Sequence, residues 1–256
     1  MTLDHRLYGP AGAPVLVLSN SLGTTQQLWE RQLPALAERF RVLTYDHPGH
    51  GTSSLPDEPC TVGRLARDLL ALVDELEVER FSLCGVSLGG MVGMTLALEA
   101  PERIERLVLA CTSAYVGPPD GWSERARIAR TEGMTAIVDA VAGRWFTPEL
   151  ERDEPVTVAR FRDMLAAIPA EGYARCCEAL GAWDARDRIR GIAAPVLVVA
   201  GEDDPATPVE HAELLASGIA GSRLVFLEHA AHLANVERAE QFTEAVLEHL
   251  GQEVAV

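Results

Sequence analysis

The sequence contains no lysine, so all 22 of its Lys-plus-Arg residues are arginine. A chain without lysine cannot form a lysine Schiff base, which excludes pyridoxal-phosphate chemistry, and it lacks the lysine of a phosphate-binding loop. Against 38 acidic residues, these arginines leave a formal charge of −16 at pH 7. A field of that sign repels nucleic-acid phosphates and anionic membranes, so we expect neither as a partner.

Long apolar runs and paired cysteines are also missing. No apolar stretch approaches the roughly 20 residues that span a bilayer, and the first residues carry no apolar core of signal-peptide length. The five cysteines are odd in number and lack C-x-x-C spacing, and Cys176 and Cys177 are adjacent, which is a poor disulfide pattern. We therefore predict a cytoplasmic protein whose cysteines are reduced and mostly packed in the interior.

Short apolar runs alternate with helical patterns along the 256 residues, which predicts an α/β fold with a mostly parallel sheet. The predicted strands are residues 14–19, 41–46, 81–84, 106–111, 195–200 and 223–227. Most of these runs are continuously apolar, as expected for strands that helices cover on both faces. Leucines three or four residues apart predict a helix within 61–78, and the same spacing of Phe242, Val246 and Leu250 predicts a helix near the end.

The strand signal disappears between residues 113 and 190. Helical patterns and prolines replace it, and three tryptophans lie there, Trp122, Trp145 and Trp183. We predict that 113–190 form a helical cap inserted between two strands, and that 1–112 and 191–256 form the core. For each tryptophan, a packing role and a substrate contact are both open.

A G-x-S-x-G motif follows directly after the run at 81–84. The motif, Gly85-Val86-Ser87-Leu88-Gly89, is followed by the apolar helical stretch 91–98. Between a strand and a helix, its glycines allow a tight turn that lifts the serine hydroxyl to the carboxyl end of the sheet. The Leu88 amide and the positive end of the helix then face any developing oxyanion. Ser87 is the predicted nucleophile; the alternative is a glycine-rich turn with an incidental serine.

A serine nucleophile needs a base, and the base needs an acid that holds it in the right tautomer. On this type of fold, the chain order is serine, acid, histidine. The loop after 195–200 carries Asp203 and Asp204, and the loop after 223–227 carries His229 and His232. Spacing alone decides neither between the two aspartates nor between the two histidines.

These motifs resemble those of the α/β-hydrolase superfamily, and specifically of the 3-oxoadipate enol-lactonases, over nearly the whole chain. The segments that carry the resemblance are Ser19-Asn20-Ser21-Leu22-Gly23, Tyr45-Asp46, Gly49-His50-Gly51, and residues 85–90, 144–148, 201–208 and 232–238. The resemblance implies an α/β-hydrolase fold, with helices on both faces of the sheet and a helical cap. It also implies that Asp204 is the acid and His232 the base. One departure is Pro48, where similar lactonases often carry arginine.

The resemblance extends to the substrate contacts. It implies an oxyanion hole formed by the backbone N–H groups of Ser21 and Leu88, with Leu22 as the neighbouring alternative to Ser21. If the substrate is a carboxylated lactone, a protein of charge −16 needs a local arginine to hold the carboxylate. Arg144 and Trp145 in the cap are therefore candidate substrate-binding residues. The alternatives are an ion pair between Arg144 and a nearby acid, and a packing role for Trp145.

The remaining histidines are assigned structural or surface roles. Asp46, His47 and His50 lie in a Pro-Gly turn without further ligands nearby in the sequence, so we predict a turn and no metal site. The isolated histidines, predicted to be solvated at the surface, are His5, His211 and His249.

The sequence thus predicts a serine hydrolase without cofactor or metal. By resemblance, it opens 3-oxoadipate enol-lactone to 3-oxoadipate in bacterial aromatic degradation, the β-ketoadipate pathway. The rival hypotheses are a broader carboxylesterase or perhydrolase of the same fold, and a ligand receptor that does not hydrolyse what it binds. The oligomeric state is left open.

Overall fold

The computed structural model describes residues 2–251, which contain one seven-stranded sheet. The strands are β1 (His5–Tyr8), β2 (Val15–Ser19), β3 (Arg41–Tyr45), β4 (Phe81–Val86), β5 (Ile104–Ala110), β6 (Val196–Gly201) and β7 (Arg223–Leu227). Their spatial order is β1-β3-β2-β4-β5-β6-β7. β1 runs antiparallel to β3, and every other neighbouring pair is parallel. The carboxyl ends of β2 to β7 therefore meet at one edge of the sheet.

The predicted strands all lie in this sheet, with ends shifted by no more than two residues. β4 and β6 are buried along their whole length, because helices cover both faces of the sheet there. The sequence pattern does not predict β1. That strand is short and half-buried and includes His5 and Arg6, so it lacks the apolar run that marks the inner strands.

Helices fill the connections. They are α1 (Leu33–Leu36), α2 (Val62–Glu75), α3 (Leu88–Glu99), α4 (Pro119–Glu132), α5 (Val138–Ala142), α6 (Pro148–Asp153), α7 (Pro155–Ala167), α8 (Ala170–Gly181), α9 (Val209–Gly218), α10 (Ala234–Glu237) and α11 (Ala239–Gly251). Short 3-10 helices lie at Gln26–Trp29, Pro101–Arg103, Met134–Ala136 and Ile189–Gly191. Within residues 2–251, none of these helices is long and apolar enough to cross a membrane.

Two of these helices illustrate how the sequence dictates them. Thr61 directly precedes α2, and its hydroxyl accepts a hydrogen bond from the Arg64 N–H and so caps the helix. α3 is apolar on every side and almost wholly buried, as expected for a helix packed between the sheet and other elements.

Helices α4 to α8 occupy the connection between β5 and β6, the segment predicted as a helical cap. α4 packs along α8, and an antiparallel bridge between Tyr115 and Asp184 joins the two ends of the segment. We use the name helical cap for residues 113–190. This segment leaves the sheet at the carboxyl end of β5, and its residues line one cavity together with Ser87 and His232. It therefore lies over the edge where the predicted site residues follow the strands.

The prediction for His249 was wrong. His249 is buried at 3% exposure, because it lies on the same face of α11 as Phe242 and Val246. Burial lowers the pKa of this ring to about 4. The other two histidines predicted at the surface, His5 and His211, are half-buried.

The cysteine prediction is confirmed. All five cysteines are free, four of them are buried, and Cys60 is half-buried. Burial raises the pKa of the Cys84 and Cys111 thiols far above their usual range, so these residues act as packing groups rather than nucleophiles.

Candidate active site

Ser87 lies in the turn between β4 and α3 with φ 55° and ψ −114°, a backbone conformation that side-chain-bearing residues rarely adopt. Two close approaches explain the motif glycines. A β-carbon on Gly85 would lie 2.3 Å from the Gly89 carbonyl, and one on Gly89 would lie 2.1 Å from the carbonyl oxygen of Ser19. The turn places Ser87 on the wall of a cavity between the sheet and the helical cap.

His232 and Asp204 form a buried hydrogen-bonded pair, with Nδ1 and Oδ2 2.8 Å apart. Thr207 supports the carboxylate: its backbone N–H donates to Oδ1 at 3.0 Å and its hydroxyl donates to Oδ2 at 2.7 Å. Burial alone would raise the pKa of Asp204, but the His232 ring and the Thr207 hydrogen bonds outweigh it and hold this pKa below its usual range. An ionised Asp204 fixes the Nδ1–H tautomer of His232 and leaves Nε2 free to act as a base.

The alternatives that spacing left open lie elsewhere. Asp203 and His229 are both exposed, and His229 adopts a left-handed conformation with φ 54°. Both border a separate surface cavity together with Phe146. The structure therefore brings Asp204 and His232 together, and His232 shares a cavity with Ser87. Their catalytic roles stay predictions.

The loop that carries His232 is held on both sides of the histidine. The Ala231 N–H donates to the carboxylate of Glu237 at 2.8 Å, and the Leu233 N–H donates to the Trp145 carbonyl at 2.9 Å. Glu237 is buried at 6% exposure and also accepts hydrogen bonds from the backbone N–H and the hydroxyl of Thr147. It therefore ties the histidine loop to the cap. Sequence reasoning missed this role, because Glu237 stands among other polar residues of the segment and has no local signal that sets it apart.

The residues predicted for the oxyanion hole border the same cavity. Ser21 and Leu22 both line it, and Leu88 directly follows Ser87 as the first residue of α3. The first N–H groups of a helix have no acceptor within the helix, so the Leu88 N–H is available to a ligand at the serine. The choice between Ser21 and Leu22 as the second donor stays a prediction.

Two buried histidines hold the loop of residues 19–23, which is named the oxyanion loop after its predicted donors. The His47 ring lies 2.9 Å from the Asn20 carbonyl oxygen through Nε2, and the Gly23 N–H donates to His50 Nε2 at 3.2 Å. Burial lowers the pKa of His47 to about 4 and that of His50 to about 3. Both rings are therefore neutral near pH 7 and serve as hydrogen-bonding groups of the turn. Within residues 2–251, no cluster of His, Cys, Asp and Glu could hold a metal ion.

The cavity has a volume of about 350 Å³, which lies in the range of small-molecule sites. Its lining is mainly apolar and comes from the core and from the cap. Besides the site residues already named, the lining includes Met91, Val116, Pro118, Gly121, Trp122, Arg125, Val141, Arg144, Trp145, Tyr173, Leu180 and Ala206. Among residues 2–251, no acidic side chain belongs to this lining, although the chain carries a net charge of −16.

The cap residues predicted to bind substrate lie at this cavity. Trp145 is buried, with its ring against Phe161, and borders the cavity. Arg144 also borders it, but is exposed to solvent. Trp183 is buried away from the cavity and donates a hydrogen bond to the Ser113 carbonyl. Sequence reasoning missed Arg125, a second arginine on the cavity wall.

Known proteins resemble this chain over almost its full length. The family model of the alpha/beta hydrolase fold matches residues 14–239. The chain is 40% identical to 3-oxoadipate enol-lactonase 2 of Acinetobacter baylyi, over 96% of this chain and 92% of that protein. The crystal structure of the enol-lactonase from Burkholderia xenovorans matches with a TM-score of 0.95 and 45% identity, covering 98% of this chain and 96% of that one.

A further relative, RutD of Agrobacterium fabrum, is named as a candidate carbamate hydrolase and is 33% identical over 94% of both chains. The relatives thus share a fold and a hydrolytic type of chemistry, while their named substrates differ. The chain therefore belongs to the alpha/beta hydrolase family, and it is a hydrolase.

Proposed function

We propose that the chain is a serine hydrolase without cofactor that opens 3-oxoadipate enol-lactone to 3-oxoadipate. One observation carries the proposal: Ser87 borders the same cavity as His232, which is paired with Asp204. Two arginines, Arg125 and Arg144, also line this cavity. In a protein of charge −16, a cavity with arginines and no carboxylates favours an ester that carries its own negative charge. The similarity to enol-lactonases supports the same substrate.

The first half of the proposed reaction forms an acyl-enzyme. The Ser87 Oγ attacks the lactone carbonyl carbon while His232 accepts the hydroxyl proton, and Asp204 stabilises the imidazolium that results. The N–H groups of Leu88 and Ser21 bind the tetrahedral oxyanion. When the ring C–O bond breaks, His232 returns the proton to the leaving enol oxygen. The enol then becomes the 3-oxo group by tautomerisation.

The second half regenerates the serine. His232 removes a proton from water, and the hydroxide attacks the acyl carbonyl carbon in the same oxyanion hole. Breakage of the C–Oγ bond returns the proton to Ser87 and releases the new carboxylate. The net reaction consumes one water for each lactone and needs no redox partner.

The cap supplies the proposed substrate contacts. Trp145 offers a flat apolar surface against the lactone ring, and its carbonyl holds the histidine loop through Leu233. Arg144, exposed and bordering the cavity, attracts the anionic substrate at the entrance. By its resemblance to the enol-lactonases, the proposed reaction belongs to bacterial aromatic degradation.

The direct test compares purified wild-type protein with Ser87→Ala on 3-oxoadipate enol-lactone, following the loss of the lactone by absorbance. We expect rapid hydrolysis by the wild type and a loss of ~10⁴-fold or more in the variant. Ser217→Ala, at an exposed serine on α9, is the matched control and should keep full activity. Equal hydrolysis by wild type and Ser87→Ala would refute the mechanism.

The same preparation separates the rival functions. Faster turnover of simple short-chain esters or of an alkyl carbamate than of the enol-lactone would replace the proposed substrate with a broader one. Failure of Ser87 to react with a serine-directed phosphonate, together with binding of the lactone without turnover, would favour a receptor.

A further inference from the structure

The wall of the active-site cavity formed by α4 and α8 carries polar groups that the proposed triad chemistry does not use. Trp122 and Arg125 lie on α4, Tyr173 lies on α8, and all three border the cavity. The Arg125 guanidinium stacks on the Trp122 ring at 4.6 Å from its centroid. The ring itself is held by a hydrogen bond from its Nε1 to the Val116 carbonyl. The guanidinium therefore lies over a ring that is itself held in place, as in a cation–π pair.

Arg125 differs from the other arginines of the same helix. Arg127 pairs with Glu124, and Arg130 pairs with Glu171 and Glu178, all on the outer surface of the cap. Within residues 2–251, no carboxylate lies within ion-pair distance of Arg125, and no acidic side chain lines its cavity. Although the chain has 38 acidic residues, the half-buried positive charge of Arg125 has no negative partner on this wall of the cavity.

Tyr173 supplies a second indication of a ligand. Its side chain is fully buried, and its hydroxyl makes no hydrogen bond of normal geometry in the described part of the chain, although Arg125 and the Cys177 thiol lie near it. Buried hydroxyls are almost always paired, because an unpaired one has lost its water without compensation. Burial raises the pKa of Tyr173 far above its usual range, although the nearby Arg125 charge opposes the shift. The phenol is therefore protonated and able to donate at neutral pH.

The position of Tyr173 relates this wall to the reaction centre. A β-carbon built on Gly23 would lie 3.2 Å from Cε2 of the Tyr173 ring, so the ring packs against the oxyanion loop. A ligand that reaches the phenol and the guanidinium therefore extends from the oxyanion hole along the inner wall of the cap.

We propose that Arg125 and Tyr173 form a carboxylate-binding site for the substrate. Through this site they select esters and lactones that carry an acid group away from the reacting carbonyl. The inference rests on the proposed function, because it assumes hydrolysis at Ser87. The guanidinium pairs with the carboxylate through two N–H groups, and the Tyr173 hydroxyl, which has no exposed surface in the free protein, becomes accessible on binding and donates to one of the carboxylate oxygens. Arg144, which is exposed, serves as the entrance contact, whereas Arg125 makes the contact inside the cavity.

The test uses two lactones that differ in the acid group. 3-Oxoadipate enol-lactone carries the carboxylate arm, and α-angelica lactone is an enol-lactone with a methyl group in place of that arm. For the carboxylated lactone, we expect Arg125→Gln to lower kcat/KM by about 100-fold and Tyr173→Phe by about tenfold, mainly through KM, as for hydrogen bonds to a charged group. Each loss should exceed the loss on α-angelica lactone by at least about tenfold.

Two further variants and one stability measurement separate a specificity role from a structural one. Arg127→Gln, on the same helix but facing solvent, should leave the kinetics of both lactones unchanged. Since Tyr173→Phe removes a hydroxyl that makes no hydrogen bond of normal geometry in the free protein, its Tm should be equal to or above that of the wild type. Equal losses on the two lactones in either cavity variant, or no loss at all, would overturn the inference.

Inhibition by adipate separates failure of this inference from failure of the proposed function. Adipate, a dicarboxylate of the product's length, should compete with α-angelica lactone in the wild type, and Arg125→Gln should raise its inhibition constant by about 100-fold. If the wild type does not hydrolyse the carboxylated lactone, while Arg125→Gln still raises the inhibition constant of adipate, the proposed substrate is wrong and the carboxylate-binding site is supported. If adipate inhibits the wild type and Arg125→Gln equally, the proposed carboxylate-binding site is refuted, even when the enol-lactone is hydrolysed.

Discussion

Glu237 offers a test of how the cap and His232, the predicted catalytic histidine, are coupled. Its carboxylate accepts hydrogen bonds from the Ala231 N–H and from two groups of Thr147. Replacement by glutamine keeps the shape and one acceptor oxygen, which is sufficient for Thr147. The amide NH₂ then faces the Ala231 N–H, and two donors oppose each other in a buried site.

The structure sets the size of the effect of Glu237→Gln. A hydrogen bond to a charged acceptor is lost and a buried N–H is left unpaired, which together cost about 2–3 kcal/mol. In a domain of this size, that loss lowers Tm by about 4–12 °C. Because Ala231 directly precedes His232, the imidazole also shifts relative to Ser87, and a displacement of about 1 Å costs up to about 100-fold in rate.

The assay combines thermal unfolding with steady-state kinetics at a temperature where the variant is fully folded. We expect kcat of Glu237→Gln to fall by about 10- to 100-fold, with a smaller change in KM. Glu240→Gln, at an exposed glutamate on α11, is the control and should change neither Tm nor kcat. A lower Tm with unchanged kcat would refute the coupling of Glu237 to the histidine, and an unchanged Tm would refute the hydrogen bonds themselves.

Three further predictions concern Asp204, the strand-to-helix turn at Ser87, called the elbow, and the buried His249. Asp204→Asn should lower kcat by ~10⁴-fold because the amide favours the wrong imidazole tautomer; a loss below tenfold in steady-state kinetics would rule out Asp204 as the orienting acid. Gly89→Ala brings a β-carbon within 2.1 Å of the Ser19 carbonyl oxygen, so urea denaturation should show a loss of about 3 kcal/mol or more, and a stable variant would contradict the packing of the elbow on β2. The folded pKa of His249 is about 4, below its unfolded value of about 6.5, so the unfolded chain binds the proton more readily and stability is lost as pH falls between these values. As pH falls from 7 to 4, the wild type should therefore lose about 2 kcal/mol of unfolding free energy relative to His249→Leu, a figure already reduced because solvent near the helix end screens the charge. A stability difference that does not vary with pH would contradict this.

The strands and the turn at Ser87 were predictable because the sequence patterns that mark them depend on neighbouring residues. Six of the seven strands are apolar runs of strand length in the sequence, and such runs are typical of buried parallel strands. The glycines two residues either side of Ser87 reflect contacts within the turn and with the adjoining strand, so their spacing is visible in the sequence. The sequence pattern did not predict β1, because an edge strand with one half-exposed face has no apolar run.

The pairing of groups that are remote in the sequence was decided by the tertiary structure. Asp203 and Asp204 are neighbours with the same chemistry, and the difference between them is that one side chain points into solvent while the other is buried against His232. Chain direction at the end of β6 sets that difference, and a sequence pattern does not record it.

The same reason applies to the residues that sequence reasoning missed. Glu237 joins two loops only after the cap has folded over the sheet, and Arg125 is distinguished from Arg127 by the side of α4 that faces the cavity. The amino-acid sequence determined the sheet, the turn at Ser87 and the order of the candidate site residues, because these depend on neighbours along the chain. The fold decided which acid meets which base and which arginine faces the ligand, because these depend on directions in space that arise when distant segments pack together.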